Sequence, residues 1–441
     1  MNEGITNFTL ENVRCFEGEQ TLRIRPITLL VGENSTGKST VLGCYDALAQ
    51  FFRPDFDEES YPMGVFSNIA RKMPKKNSEK FMLGVKYMNG GQSMSCKYVF
   101  TAKEEGAKPS VSKMIYAFHS GESITLNFED YPPNKSSTAL ESSRHIPSKG
   151  HVQQDKDNFV VWKRLGNEHP ISLFSTLPEL FKDSKDNATK ELLKVLDEKK
   201  DILLGMLLLL RSDKIVNMAP VRSKPKRNYD PADAMIASEG DKALISLMQL
   251  KRQKDPKWIF LRDELRGFGA DSGMFKDINI RHLGKLVSDP FQIQVKIGTH
   301  GVNIIDVGYG VSQLLPILVR MIAEKKHKKI PRFLVQQPEM HLHPKAQAEL
   351  ASLLVKFAED GKGQNYLIET HSDYIVDRIA IEIRHGRISP DNVSLVYHEP
   401  KNGSVKIHNI EFDKQGNRIN VPKGYREFFM RETDRVLGLE K

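Results

Sequence analysis

A chain of 441 residues is longer than a single hydrophobic core usually serves, so more than one lobe is expected. Hydrophobic residues at 39% and charged residues at 27% sit near the globular average, which excludes bulk disorder. A net charge of +9 is compatible with phosphate-bearing partners without establishing nucleic-acid binding.

In chain order, Ile5–Leu10 and Thr21–Ile24 read as short strands, and the apolar run Ile27–Val31 as a buried strand feeding a glycine-bounded loop. From Ser39, the residues Val41, Leu42, Tyr45, Leu48, Ala49 and Phe52 recur at steps of three and four until Pro54, the pattern of a helix packed on a sheet. Residues 80–130 alternate as antiparallel strands do, which predicts a β-subdomain, and the Ser-, Lys- and Pro-rich stretch Asn134–Asp157 predicts an exposed, mobile loop. Between about 175 and 285 the pattern turns helical, through 191–196, Ile202–Leu210 and 243–248. Ile293–Ile297 and Val302–Val307 return to β before a glycine-rich turn at Gly308–Gly310. Phe333–Val335 and Tyr366–Ile368 are short buried strands, and Pro344 opens a helix over Lys345–Asp360 with Leu350, Leu353, Leu354 and Phe357 on one face. The expected domains are a first α/β lobe with its β-subdomain at 1–175, a helical insertion at 176–285 for oligomer or partner contacts, a second α/β lobe at 286–400 and a tail at 401–441. The longest strongly apolar run, Ile202 to Leu210, is about half the roughly 20 residues that cross a bilayer, and no signal-peptide core precedes it, so a cytoplasmic protein without membrane association is expected. Cys15, Cys44 and Cys96 lack CxxC spacing and read as packed thiols.

Gly32-Glu33-Asn34-Ser35-Thr36-Gly37-Lys38-Ser39 matches GxxxxGK[ST] between a strand and a helix. Such a loop wraps backbone N–H groups around a phosphate, and the helix dipole behind it favours the negative charge. Gly32, Asn34, Ser35, Thr36, Gly37, Lys38, Ser39 and Thr40 are therefore the expected ATP-binding residues, with Lys38 reaching the β- and γ-phosphates and Ser39 ligating Mg²⁺. Gly308-Tyr309-Gly310-Val311-Ser312-Gln313 precedes an apolar helix and could cradle a second phosphate. Phe333–Pro344 places polar side chains at the end of a buried strand, where a metal and an attacking water would be handled. After the next strand, the His371 imidazole can donate to a γ-phosphate oxygen.

Together these residues resemble the ABC-type ATPases, and more closely the branch that includes the OLD, RecF and SMC-like repair proteins, over residues 5–50 and 300–430. The resemblance implies an α/β fold, an ABC-type P-loop ATPase head with an antiparallel β-subdomain and a helical insertion, with ATP and Mg²⁺ as cofactors. It implies a homo-oligomer with head-to-tail ATP sites, in which Gly310 and Ser312 contact the neighbour's ATP. It also matches Gln336–Pro344 to the family's EEPE…HLHP box, His371 to its switch histidine and Arg14 to its position near the nucleotide base. His341 and His343 then lie in a loop that contacts the neighbouring subunit rather than holding zinc.

One departure matters. Where the family carries an acid for the Mg²⁺ shell and then a glutamate that orients water, this chain has Gln336 and Gln337. An amide can hold a metal-bound water but cannot accept its proton. Glu339, expected on the same face of the strand end, is the candidate substitute, so the expected catalytic set is Glu339, Gln337 and His371 and the metal set Ser39 and Gln336. Slow ATP turnover, or binding with little hydrolysis, follows.

The chain also resembles the stand-alone OLD-like ATPases of antiphage defence. That likeness implies an oligomeric sensor that holds a separately encoded Toprim-type nuclease and releases it when a phage trigger protein is sensed. With about 70 residues after His371, any nuclease is expected to act in trans. The alternative is a RecF- or SMC-like DNA-repair ATPase whose hydrolysis DNA stimulates. The basic cluster Arg222–Arg227 lacks interleaved aromatics and reads as a solvated loop or subunit contact, and Lys325–Lys329, where a helix C-terminus tolerates cations, reads as solvated surface.

Overall fold

Ser110–Phe118 is buried at every second position over most of its length, as in a strand that turns one face to a core, and this alternation builds the larger of the sheets. In a computed structural model the described residues are 4–438 except 50–55, 57–60, 74–77, 129–150, 156–157, 163–185, 213, 219–223, 236–238, 254, 287, 326–329 and 428–433. The chain runs β1 (Gly4–Glu11), β2 (Glu19–Arg23), β3 (Ile27–Gly32), α1 (Lys38–Ala49), the single turn α2 (Phe66–Ile69), β4 (Phe81–Asn89), β5 (Gln92–Thr101), β6 (Ser110–Phe118), β7 (Ser123–Asn127), β8 (His151–Asp155) and β9 (Asn158–Trp162). It continues through α3 (Asn187–Glu198), α4 (Lys200–Ser212), β10 (Lys214–Met218), α5 (Glu239–Arg252), α6 (Pro256–Ser272), β11 (Asp277–His282), β12 (Phe291–Lys296), β13 (Gly301–Asn303) and α7 (Tyr309–Glu324). Then follow β14 (Pro331–Gln336), α8 (Pro344–Ala358), β15 (Asn365–Glu369), α9 (Asp373–Arg384), β16 (Val393–Lys401), β17 (Ser404–Phe412) and β18 (Arg418–Ile419). The mixed α/β P-loop architecture expected from the sequence, with its antiparallel β-subdomain, is the one observed.

Two compact units divide the chain, the first comprising Met1–Ile24, Glu33–Asp213 and His398–His408, the second Arg25–Gly32, Lys214–Tyr397 and Asn409–Lys441. The first contains the eight-stranded sheet β2-β1-β4-β5-β6-β7-β9-β8. Its core is aromatic: Phe81 stacks on Phe100 at 4.9 Å, and Phe56 meets both rings edge-on. Such pairs add stability beyond the area they bury.

The second unit holds the three-stranded sheet β11-β12-β13 and most of the seven-stranded sheet β10-β14-β15-β3-β16-β17-β18. Strands β10, β14, β15 and β3 run parallel, with Gln336 opposite Glu369 and Glu369 opposite Leu30. Parallel strands are covered on both faces, which explains the continuous burial of Leu29, Leu30, Phe333, Leu334, Leu367 and Ile368. Helices begin where their caps dictate. His343 and Pro344 start α8, and Ser372, accepting from Ile375 N at 3.1 Å, starts α9.

Three expectations change. The sequence predicts a loop over Asn134–Asp157, but His151–Asp155 forms β8, pairing antiparallel with β9 at the sheet edge, where a polar strand is tolerated; residues 134–150 lie outside the described residues. Val302–Val307 is not one strand: β13 ends at Asn303, whose side chain accepts from Ile305 N at 3.2 Å and starts a 3₁₀ turn over Ile304–Asp306. The helix expected over Lys345–Asp360 stops at Ala358, because Glu359 and Asp360 are left-handed. Among the described residues no helix is long and apolar enough to cross a membrane.

Candidate functional site

The sequence-selected residues fall into three groups, the phosphate loop from Asn34 onward in the first unit and the other two in the second, which also holds Gly32 at the end of β3. In the first unit the loop after β3 contains left-handed Ser35 (φ 64°) and Gly37 (φ 78°). Gly37 must be glycine for a second reason, since a Cβ there would lie 2.5 Å from Cys15 Sγ and 2.7 Å from the Phe16 ring. Lys38 is buried, and its Nζ donates to the Glu33 carbonyl at 2.6 Å. Thr36 Oγ1 donates to the same oxygen at 2.7 Å. Asn34, Ser35 and Ser39 are exposed, whereas Thr36 and Thr40 are buried. Arg14, itself left-handed, donates to the Asn68 carbonyl at 3.0 Å, to Thr40 Oγ1 at 3.3 Å and to the Met63 carbonyl at 3.4 Å, so its guanidinium knits the β1–β2 turn to α1 and the segment before β4. A cleft of about 340 Å³ opens beside the loop, between Glu33–Thr36, Cys15 and the turn joining β16 to β17.

The second cluster gathers the ends of β14 and β15. Gln336 closes β14, and Gln337 turns left-handed (φ 43°) with its N–H donating to the Glu369 carbonyl at 2.8 Å. The chain therefore leaves the strand plane, and Glu339 sits in the following turn rather than on the extended face of the strand. One carboxylate oxygen of Glu339 accepts from the His371 backbone N–H at 2.7 Å, while Oε2 is buried without a hydrogen-bond partner. Burial raises the Glu339 pKa above the ordinary glutamate value, and the charge on Glu369 adds to the shift. The His371 side chain is exposed, and Ser372 after it donates to Gln347 Oε1 at 2.5 Å.

In the same unit the start of α7 meets the turn before α8. A Cβ on Gly310 would run into the His341 carbonyl oxygen, and the Tyr309 ring stands edge-on to His341 at 4.9 Å. Ser312 is buried, and its hydroxyl donates to the Tyr309 carbonyl at 3.0 Å. Gly310→Ala is expected to cost roughly 1–3 kcal/mol, because backbone must yield to the new methyl group, and a thermal melt checks this as a fall of several degrees.

The AAA ATPase domain family matches this sequence over residues 4–376. The chain belongs to that family. Among solved structures, similar chains to this AAA ATPase include an Smc head bound to the C-winged helix domain of ScpA, at 12% identity over 93% of this chain and 98% of that one, with a TM-score of 0.49. Another is an Smc head domain with an extended coiled coil bound to the C-terminal domain of ScpA from Pyrococcus furiosus, at 10% identity over 98% and 99% with a TM-score of 0.46. A third is the SMC head domain from Thermotoga maritima, at 11% over 92% and 99% with a TM-score of 0.39. No curated protein matches this AAA ATPase.

Two residues of this AAA ATPase carry site contacts that no motif marks. Glu369 is a buried carboxylate in register opposite Gln336 on the adjacent strand. His398, on β16, reaches the Thr36 carbonyl of the phosphate loop with Nδ1 at 2.9 Å. The strand alternation that would flag Glu369 is hidden in a doubly covered parallel strand, and His398 stands 362 positions from its partner.

Proposed function

We propose that this AAA ATPase is an ABC-type ATP-binding protein of the OLD, RecF and SMC-like branch, working as a homo-oligomeric antiphage sensor in the manner of the AriA subunit of the PARIS defence system. In this reading it holds a separately encoded Toprim-type nuclease and frees it when a phage protein is sensed. The observation that carries the reading is a fully formed phosphate loop in a chain whose usual strand-end acids are the amides of Gln336 and Gln337. Such a pairing favours retention of nucleotide over rapid cleavage.

ATP fits the loop because its left-handed residues and the buried Lys38 ammonium present donors to an anion. Mg²⁺ requires hard oxygen donors, and the strand ends of the second unit offer the Gln336 amide beside the buried carboxylate of Glu369. When bound, Mg²⁺ would neutralise charge developing on the phosphates. Ser39, at the exposed first turn of α1, is the phosphate loop's own oxygen ligand for Mg²⁺. Glu339 accepts a proton from water, and the His371 backbone N–H holds that carboxylate in place.

The alternative of a DNA-tracking ATPase draws on the basic charge. In the described part of the first basic cluster, however, Lys226 pairs with Asp241 at 3.1 Å and Arg227 with Asp306 at 2.7 Å. The deciding experiment co-expresses the chain with a Toprim-type nuclease and purifies it with Mg·ATP or with a nucleotide-stripping enzyme. Co-elution that requires ATP is the expected result. No complex at micromolar protein, with a hydrolysis rate that duplex DNA raises severalfold and added salt suppresses, would replace this reading by the repair reading.

A further inference from the structure

We propose that His398 is a positioning residue of the phosphate loop, fixing the Thr36–Gly37 peptide so that the Gly37 amide is turned toward bound phosphate. The proposal rests on the reading of the loop as an ATP site.

His398 is fully buried, and Nδ1 lies 2.9 Å from the Thr36 carbonyl oxygen. A carbonyl only accepts, so the hydrogen sits on Nδ1 and the ring donates. Nε2 is buried without a hydrogen-bond partner, a condition that suits an uncharged ring and penalises an imidazolium. Burial, with the Lys38 ammonium adding to it, pushes the pKa down to about 4. At neutral pH the residue is therefore a neutral donor locked in one tautomer.

The consequence for the loop follows from peptide geometry. In a trans peptide the C=O and the N–H that follows point to opposite sides. Drawing the Thr36 oxygen back toward His398 aims the Gly37 N–H the other way, which is the orientation an anion-binding row of amides needs. The support behind the loop is shared. Phe16 packs against Gly37 and meets the His398 ring edge-on at 5.8 Å, so ring and glycine brace the same peptide. The Glu33 oxygen is held similarly by Lys38 and Thr36, leaving both ends of the loop with tethered carbonyls. A side chain that only filled space would support the backbone without orienting the amide.

The test titrates a fluorescent ATP analogue with Mg²⁺ into the full chain as wild type, Lys38→Ala, His398→Leu, His398→Asn and His398→Gln, with ligand-free melting curves for each. Asparagine places an amide nitrogen where the imidazole Nδ1 stands, glutamine places it one carbon farther, and leucine has none. His398→Leu and His398→Gln are expected to weaken binding about tenfold, and His398→Asn to stay within about threefold of wild type. If the leucine variant does not fold, the asparagine and glutamine pair carries the comparison. Wild-type affinity in His398→Leu, or equal weakening in the asparagine variant and its fellows, would overturn the proposal while leaving the nucleotide reading intact. Equal binding by wild type and Lys38→Ala would overturn the nucleotide reading, and the proposal with it, without reference to any His398 variant.

Discussion

Lys38→Ala is expected to weaken Mg·ATP binding by about a hundredfold or more while leaving the protein folded. The Lys38 ammonium is buried beside the N-terminus of α1, where its charge acts in a low-dielectric setting and adds to the helix dipole. A charge-assisted contact to phosphate lost from such a place amounts to about 3 kcal/mol, or roughly two orders of magnitude in Kd. The loop itself should survive. The Glu33 carbonyl that Lys38 engages also accepts from Thr36 Oγ1 at 2.7 Å, and the Gly37 carbonyl keeps its bond from Val41 N at 3.0 Å. Equilibrium dialysis with labelled ATP, beside a ligand-free melt, separates the two effects. Unchanged affinity would remove the assignment of this loop to nucleotide.

Glu339→Gln should separate chemistry from binding. Proton abstraction by a positioned base contributes about two to four orders of magnitude, so single-turnover phosphate release is expected to fall at least about a hundredfold with ATP affinity unchanged. The turn should hold, because the glutamine oxygen can still accept from the His371 N–H. The raised pKa of Glu339 sets the pH dependence. A base must be ionised to act, so the acidic limb of the wild-type rate should lie above the ordinary glutamate range, and the glutamine variant should lose that limb. Stability moves the opposite way. Above the ordinary value the folded carboxyl binds its proton more tightly than the unfolded chain does, so its stabilising contribution is complete at lower pH and is lost as pH rises through the folded value. Wild-type turnover in the variant would leave the chain without an identified base.

The elements around the loop are legible because hydrophobic period and glycine placement act locally. The run Ile27–Val31 becomes β3, and the three- and four-residue spacing after Ser39 becomes α1. The turn carrying Glu339 is less legible, since it depends on Gln337 adopting a left-handed backbone that glutamine does not advertise. Asn303 has the same effect on the segment read as a strand, where one side-chain bond to Ile305 N starts a turn. His398 and Glu369 escape a reading by motif altogether. Their meaning comes from strand neighbours far away in sequence, and residue type and spacing do not encode which strands become neighbours.

The tether from His398 also orders events during synthesis. Residues 32–40 leave the ribosome long before His398–His408, yet the first unit draws in that later segment, where Val405 N bonds the Cys15 carbonyl at 3.0 Å and Ile407 N bonds Gln20 Oε1 at 3.0 Å. Contacts of such long sequence separation form late. A nascent chain thus displays residues 32–40 without the imidazole until His398, 362 positions after Thr36, has also emerged, and the Thr36 carbonyl gains its tether only then.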